Sequence, residues 1–284
     1  MTVHSNVRMA VVVVGASQGI GKEVAKIAAK EGTPVVLIAR SPEALSSAAA
    51  EARQRGGDVF TLELDIVAGD ATARLQDFLT KNGLVCDVLV NSAGYGLRGA
   101  ATALPLKDQL GIIDLNIRAL SDLTLYFLPG MVARGRGGVL NLASVASFTP
   151  GPNMAVYYAS KSFVRSFSEA LHQELRGTGV TVTCAAPGPV ATEFLERSGA
   201  NKAPLFKILP NLKPEYVAER AWKGFKSSRR LVVPSLSAKL VALAAALIPH
   251  ALMLPLIARL QRRSTDPCPC GSGKQYRKCC GAVR

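Results

Sequence analysis

The chain sets short apolar runs between longer segments in which apolar residues recur every third or fourth position. The runs are Ala10–Val14, Val35–Ala39, Val59–Leu64, Val88–Asn91 and Val139–Leu142, rich in β-branched residues. Ile20–Glu31, Pro42–Arg55 and Ala71–Lys81 are among the segments between them. Strands apolar on both faces, joined by helices of crossover length, predict an α/β fold with a doubly wound parallel sheet. A helix from about Ala155 to Arg176, a strand at Val180–Cys184 and an edge strand at Leu231–Val233 extend the pattern. Residues 187–214 mix Pro, Gly and apolar residues without a period. They predict a long binding loop or lid with one short helix.

From Leu240 to Ala258 the chain is apolar apart from His250, with Pro249 and Pro255 as interruptions. Nineteen residues is the lower limit for a bilayer span, and the prolines predict two short helices instead of one long one. The expectation is burial against the lid or a subunit partner. Basic flanks (Arg229, Arg230, Lys239, Arg259, Arg262, Arg263) keep peripheral contact with an anionic membrane as the alternative. The resulting organisation is a main domain over 1–235, an apolar helical extension over 236–263 and a cysteine-rich tail over 264–284.

Apolar residues at 49% and charged residues at 19% exclude a disordered chain. The net charge of +14 is unevenly placed: residues 1–196 hold 17 basic and 17 acidic side chains, residues 197–284 hold 17 and 3. The main domain is neutral, so no nucleic acid partner is expected. The run Met9–Val14 is too short for a signal peptide. Cys86 and Cys184 stand alone, while four cysteines crowd the last residues. That distribution points to a metal site in a reducing compartment, with the cytoplasm as the default location.

Val11–Val14 leads into Gly15-Ala16-Ser17-Gln18-Gly19-Ile20-Gly21 and then a helix. A Gly-rich turn there lets backbone approach a pyrophosphate and directs free N–H groups at it. No acidic residue follows the second strand to bind a ribose 2′-OH. Arg40 stands there instead and suits a 2′-phosphate, which favours NADP over NAD; a solvated surface Arg is the bland alternative. Asp65, after the third strand, reads either as a partner for the adenine amino group or as a helix N-cap. Tyr157 and Lys161 are four apart and share one helical face. An ammonium and an oxidised nicotinamide beside the phenol would lower its pKa towards neutrality, and Ser144 could fix a substrate oxygen. Tyr158 points about 100° away and is expected to pack.

These motifs, in this order and spacing, resemble the short-chain dehydrogenase/reductases over about residues 8–235. The glycine turn, Asn91-Ser92-Ala93-Gly94, Asn116, Ser144, Tyr157-x3-Lys161 and Pro187-Gly188-Pro189-Val190-Ala191-Thr192 carry the likeness. It implies a Rossmann domain and an NADP(H)-dependent oxidoreductase interconverting a carbonyl and a secondary alcohol. It also implies catalytic roles for Ser144, Tyr157, Lys161 and Asn116, with Lys161 binding the nicotinamide ribose and Asn116 organising a water relay. Cofactor contacts are implied for Gly15, Ser17, Gly19, Ile20, Gly21, Arg40, Asp65, Asn91, Ala93, Gly94, Tyr157, Lys161, Pro187, Gly188, Val190 and Thr192. Two positions depart from the pattern: Val14 where many members have Thr, so that one hydrogen bond near Asn91 is lost, and Ala143 for the first Ser of a frequent pair.

Tyr95, residues 145–154 and residues 192–209 are expected to border the substrate. Phe194, Leu195, Leu205, Phe206, Ile208 and Leu209 make that border apolar, which suits a lipid-like substrate or simply a packed lid. In the tail, Cys268, Cys270, Cys279 and Cys280 can meet through a Gly271–Gly273 hairpin as a tetrahedral zinc site, with Lys274, Arg277 and Lys278 offsetting thiolate charge. This tail resembles the SEC-C motif, which implies Zn2+ and a protein partner. A homo-oligomer is also expected. The competing readings are an NADP(H)-sensing binding module whose zinc hairpin recruits a partner, and a lipid-surface anchor.

Overall fold

The computed structural model describes residues 7–204, 210–262, 265–266, 268, 270 and 272–282. The expected lid residues Leu205, Phe206, Ile208 and Leu209 lie outside the described residues, as do Arg263, Ser264 and Gly271. Seven parallel strands form one sheet: β1 (Arg8–Val14), β2 (Val35–Ala39), β3 (Val59–Glu63), β4 (Leu84–Asn91), β5 (Gly137–Leu142), β6 (Val180–Ala185) and β7 (Leu231–Val232). Their order is β3-β2-β1-β4-β5-β6-β7. The chain therefore moves outward from β1 in one direction, returns, and moves outward in the other. The reversal opens a crevice beyond the C-terminal ends of β1 and β4.

Helices cover both faces. On one lie α1 (Gly19–Lys30), α2 (Pro42–Arg53) and α8 (Pro214–Lys226), whose Val24, Leu45 and Trp222 pack with Val11, Val13 and Leu140. On the other lie α3 (Ala71–Lys81), α5 (Leu120–Ala133) and α6 (Ala155–Glu174), whose Leu75, Leu123 and Leu171 pack with Val12, Val36 and Leu89. Alternate residues of one strand thus serve opposite cores, which is why β1 reads apolar throughout. Truncating a fully buried leucine such as Leu75 or Leu123 would cost about 2–5 kcal/mol.

Strand β4 begins four residues before the predicted run, because Asp87 interrupts the apolar pattern. The β1–β4 register skips Asp87 at a bulge, and Arg136 pairs with its carboxylate at 2.8 and 3.1 Å. Helix α4 (Leu106–Ile113) continues through a π-turn over Asp114–Ala119 into α5. The short α7 spans Glu193–Arg197 within the predicted loop.

The apolar C-terminal segment forms two helices, α9 (Leu236–Leu247) and α10 (His250–Gln261), broken at Pro249. Pro255, expected to interrupt as well, sits inside α10. Both it and Ala251, whose carbonyl it leaves without a donor, are exposed to water. The expected burial against the lid is also corrected: Ala238, Ala245 and Met253 are buried, but Leu240, Leu243, Leu247, Leu252 and Leu256 are more than half exposed.

The C-terminal segment is nevertheless tied to the main domain. Gln261 Nε2 donates to Tyr158 Oη at 2.6 Å. Arg98 makes a two-pronged ion pair with Asp266 at 2.6 and 3.1 Å, and also donates to the carbonyls of Gly199 and Gln261. The Arg98 and Asp266 side chains are only 7% and 13% exposed. The tail's acidic side chain is thereby clamped to the loop that follows β4 and to the end of α7.

Candidate active site and metal centre

Every residue singled out for the nucleotide lies at the C-terminal edge of the sheet. Gly15 follows β1 with φ +78°, and a Cβ there would stand 2.6 Å from the Ala93 amide nitrogen. The turn needs glycine both for its left-handed backbone and for this contact. Gly19 to Gly21 open α1, while the Ile20 side chain packs into the core, leaving its backbone to face the turn. Arg40 and Asp65 follow β2 and β3, with Arg40 Nη1 4.0 Å from Asp65 Oδ2 and side chains 74% and 50% exposed. Asp65 Oδ1 also accepts from the Val67 amide within a turn; it is not the helix N-cap considered in the sequence, since α3 begins at Ala71 after Asp70. Pro187, Gly188, Val190 and Thr192 follow β6 in a loop pinned by Leu212, which pairs with Val190 and bonds Pro189 and Ala191. The glycine cradle and an exposed guanidinium beyond β2 fit a phosphorylated dinucleotide.

Ser144 ends the turn after β5; Tyr157 and Lys161 lie on α6, one turn apart and both buried. Ser144 Oγ accepts from the Ala146 amide at 3.2 Å and lies near enough to the Tyr157 phenol to favour its ionised form. Lys161 Nζ donates to the Leu142 carbonyl at 2.8 Å. Asn116, in the π-turn, is fully buried. Its Oδ1 accepts from the Tyr95 amide at 3.1 Å, and its Nδ2 donates to the Tyr95 carbonyl and to Ser160 Oγ, both at 3.0 Å. Ser160 Oγ in turn donates to the Tyr157 carbonyl at 2.7 Å. Gly94 must lack a side chain here, since a Cβ would stand 3.0 Å from Asn116 Oδ1 and 3.3 Å from Lys161 Nζ. Both N–H groups of Asn116 are committed to protein, so it staples α6 to the loop after β4. Ser160 was missed in the sequence, although it sits inside Tyr-x3-Lys.

Burial dominates the electrostatics. It lifts the Tyr157 phenol to about 12, opposed by the Ser144 hydrogen bond. It pushes the Lys161 ammonium down to about 8. The expected lowering of Tyr157 by Lys161 is therefore not supplied by the chain itself: Nζ is 6.0 Å from the ring centre, and its own charge is disfavoured by burial. Around the phenol stand Met154, Tyr158, Leu195 and Phe194, the last with its ring centre 5.2 Å away.

Asn91 is not free to reach a ligand through its amide nitrogen. Nδ2 donates to Thr124 Oγ1 at 3.0 Å and to Asn141 Oδ1 at 2.8 Å, and Asn141 continues to Ser168. Asn91 Oδ1 is buried without a partner, and Val14 is its neighbour on β1. The missing hydrogen bond expected from Val14 is visible as this orphaned acceptor. A separate cleft of about 530 Å³ opens at the opposite end of the sheet beside Gly137 and Phe225, but its histidine, His172, is tied to the Val182 carbonyl.

In the tail, the Sγ atoms of Cys268, Cys270, Cys279 and Cys280 lie within 4.8 Å of one another. Cys268–Cys270 and Cys270–Cys279 are 3.3 and 3.5 Å apart. A tetrahedral Zn–S₄ site spaces its sulfurs about 3.8 Å apart, so this donor set could hold zinc. The Ser272 hydroxyl, with the neighbouring thiols, holds Cys270 down near 6. The Cys280 thiol, hydrogen-bonded with Cys268 and Cys270, is pushed up to about 12. These shifts come from the Ser272 hydroxyl and the crowded sulfurs, not from Lys274, Arg277 or Lys278 as expected. A bound zinc ion would stabilise all four as thiolates.

A family model described as short chain dehydrogenase matches residues 9–203, and one for the SEC-C motif matches 265–282. Sulfoacetaldehyde reductase 2 of Chromohalobacter salexigens is 38% identical over 215 residues, 74% of this chain and 85% of that protein. Very-long-chain 3-oxoacyl-CoA reductase of Homo sapiens is 35% identical over 188 residues, 64% of this chain and 60% of that protein. A solved short-chain dehydrogenase from Sphingobium yanoikuyae in complex with NADPH superposes with a TM-score of 0.74 at 29% identity, covering 86% of this chain and 94% of that one.

The orphaned acceptor makes one expectation specific. Burying a hydroxyl in place of a core valine ordinarily costs about 1–3 kcal/mol. Val14→Thr should instead be neutral or stabilise by up to about 1 kcal/mol, because Asn91 Oδ1 gains a donor. Val12→Thr, among apolar neighbours, should show the ordinary cost. Chemical denaturation of the two variants compares them; equal losses would contradict the assignment.

Proposed function

The chain belongs to the short-chain dehydrogenase family, NAD(P)-dependent oxidoreductases acting on CH–OH groups, and on that premise we propose an NADP(H)-dependent enzyme that interconverts a carbonyl and a secondary alcohol on an apolar, lipid-like substrate. The observation that carries this reading is the buried group of Ser144, Tyr157 and Lys161 at the edge of the glycine cradle. The Gly15–Gly21 turn would hold the pyrophosphate of NADP(H) and Arg40 its 2′-phosphate, and the bound cofactor would supply or accept the hydride. Tyr157 gives its proton to the carbonyl oxygen as the new C–H bond forms and takes it back in the reverse direction. Ser144 holds that oxygen by a hydrogen bond. Lys161, held by the Leu142 carbonyl, offers its remaining N–H groups to the ribose. Asn116 and Ser160 position α6 through these hydrogen bonds, beside the water relay expected at Asn116.

The apolar shell of Met154, Leu195 and Phe194 supports a hydrophobic substrate. The likeness to a very-long-chain 3-oxoacyl-CoA reductase points the same way. A homo-oligomer would use the apolar face of α4, α5 and α6, where Leu106, Leu110, Leu125, Tyr126 and Phe163 are exposed.

Tyr157→Phe should lower carbonyl-dependent NADPH oxidation by about 10²–10⁴-fold while NADPH binding, read by fluorescence, is retained. Unchanged turnover, or loss of binding as well, would remove the phenol from this role. The Lys161 ammonium, depressed to about 8, loses its proton as pH rises through that value. NADPH affinity should therefore be higher below pH 8 than above it, and Lys161→Met should bind weakly with no such limb. A flat profile in the parent chain would contradict the ribose assignment.

A further inference from the structure

Helices α9 and α10 each keep apolar side chains exposed among the described residues. Leu236, Leu240, Leu243 and Leu247 recur at helical spacing along α9, and Leu252 and Leu256 lie one turn apart on α10. Their exposures run from 54% to 73%. A patch of this kind on a chain with a large buried core marks a contact surface. The charge around it selects the partner. From Ser235 to Arg262 the sequence contains three basic residues, Lys239, Arg259 and Arg262, and no Asp or Glu. Lys239 follows the first exposed leucine by three positions, and Arg259 follows Leu256 by three, so each helix sets a basic side chain beside its exposed leucines. A second copy of the same face would bring these charges together and be repelled. Exposed leucines flanked by cations match the interface of an anionic bilayer, with leucines among the acyl chains and Lys/Arg at the headgroups.

We propose that α9 and α10 dock the protein on an anionic lipid surface. They lie on the membrane rather than cross it: each helix is twelve residues, about 18 Å long against a hydrocarbon core of about 30 Å. No helix among the described residues is long and apolar enough to span. The buried side of the hairpin is rooted in the candidate active site. Helix α9 packs on the turn at Val145–Phe148 after Ser144, and the Ala238 methyl lies 3.7 Å from where a Cβ on Gly188 would stand. Helix α10 ends on Tyr158 through Gln261, next to Tyr157. Docking would therefore hold the protein on the lipid through helices packed beside the candidate site, which, on the reading of the preceding subsection, suits a carbonyl drawn from the membrane.

Sedimentation of the full chain with vesicles tests this. Vesicles of phosphatidylcholine alone are compared with vesicles in which about a third of the lipid is phosphatidylglycerol. The chain should bind the anionic vesicles at least tenfold more strongly, and high salt should weaken the binding. The double variant Leu240→Glu/Leu247→Glu should lose binding by tenfold or more while keeping NADPH affinity and the parent far-UV spectrum. Lys239→Glu/Arg259→Glu, which leaves the leucines in place, should lose a similar factor. No anionic preference in the parent, or full binding by the leucine variant, overturns the proposal. So does a dimer in solution that the leucine variant dissociates while vesicles bind neither form. NADPH turnover with a water-soluble carbonyl is read alongside, so failure at the membrane is separable from failure of the enzymatic reading.

Discussion

One buried carboxamide holds the site together. Asn116 spends both N–H groups and its carbonyl on the Tyr95 backbone and Ser160, and Ser160 passes the link to the Tyr157 carbonyl. A fully buried amide left unpaired would cost about 1–3 kcal/mol, so the network is satisfied or the packing fails. The π-turn over Asp114–Ala119 places Asn116 there, and Gly94 leaves the space it occupies. The phenol and amine of α6 are thus registered against the strand ends by these hydrogen bonds.

The second constraint is the sheet. Its strands are covered on both faces, so polar side chains that must meet a ligand are left the C-terminal ends of the strands. There the chain has prepaid desolvation: Tyr157 is driven up to about 12 and Lys161 down to about 8 by burial alone. Both shifts favour the neutral forms. A phenol that keeps its proton is suited to donate it to a carbonyl oxygen, and a cationic nicotinamide would restore the balance towards phenolate for the reverse direction.

What could be read in the sequence was local. The apolar runs of β1 to β6, the glycine turn, Tyr157-x3-Lys161 and the four cysteines depend on spacings of a few residues, and each stands where the pattern placed it. What escaped depends on distance along the chain. Arg98 and Asp266 are separated by most of the molecule, and neither carries a local signature. Gln261 meets Tyr158 only because α10 folds back. The start of β4 was hidden by Asp87, whose charge reads as a strand end until Arg136 is seen beside it. The cover expected for the apolar helices is not supplied within the described residues, because hydrophobicity shows that a surface seeks cover, not which body provides it.

The central claim is that the Tyr157 hydroxyl faces the reactive end of a nucleotide lying along the glycine turn. A crystal structure of the chain with NADP+ and a ketone analogue tests it most directly. The account predicts the pyrophosphate at Gly15–Gly21, a ribose hydroxyl on Lys161 Nζ, and Tyr157 Oη within about 3 Å of the analogue's oxygen beside the nicotinamide. A nucleotide bound elsewhere, or a phenol turned away from that oxygen, would contradict it.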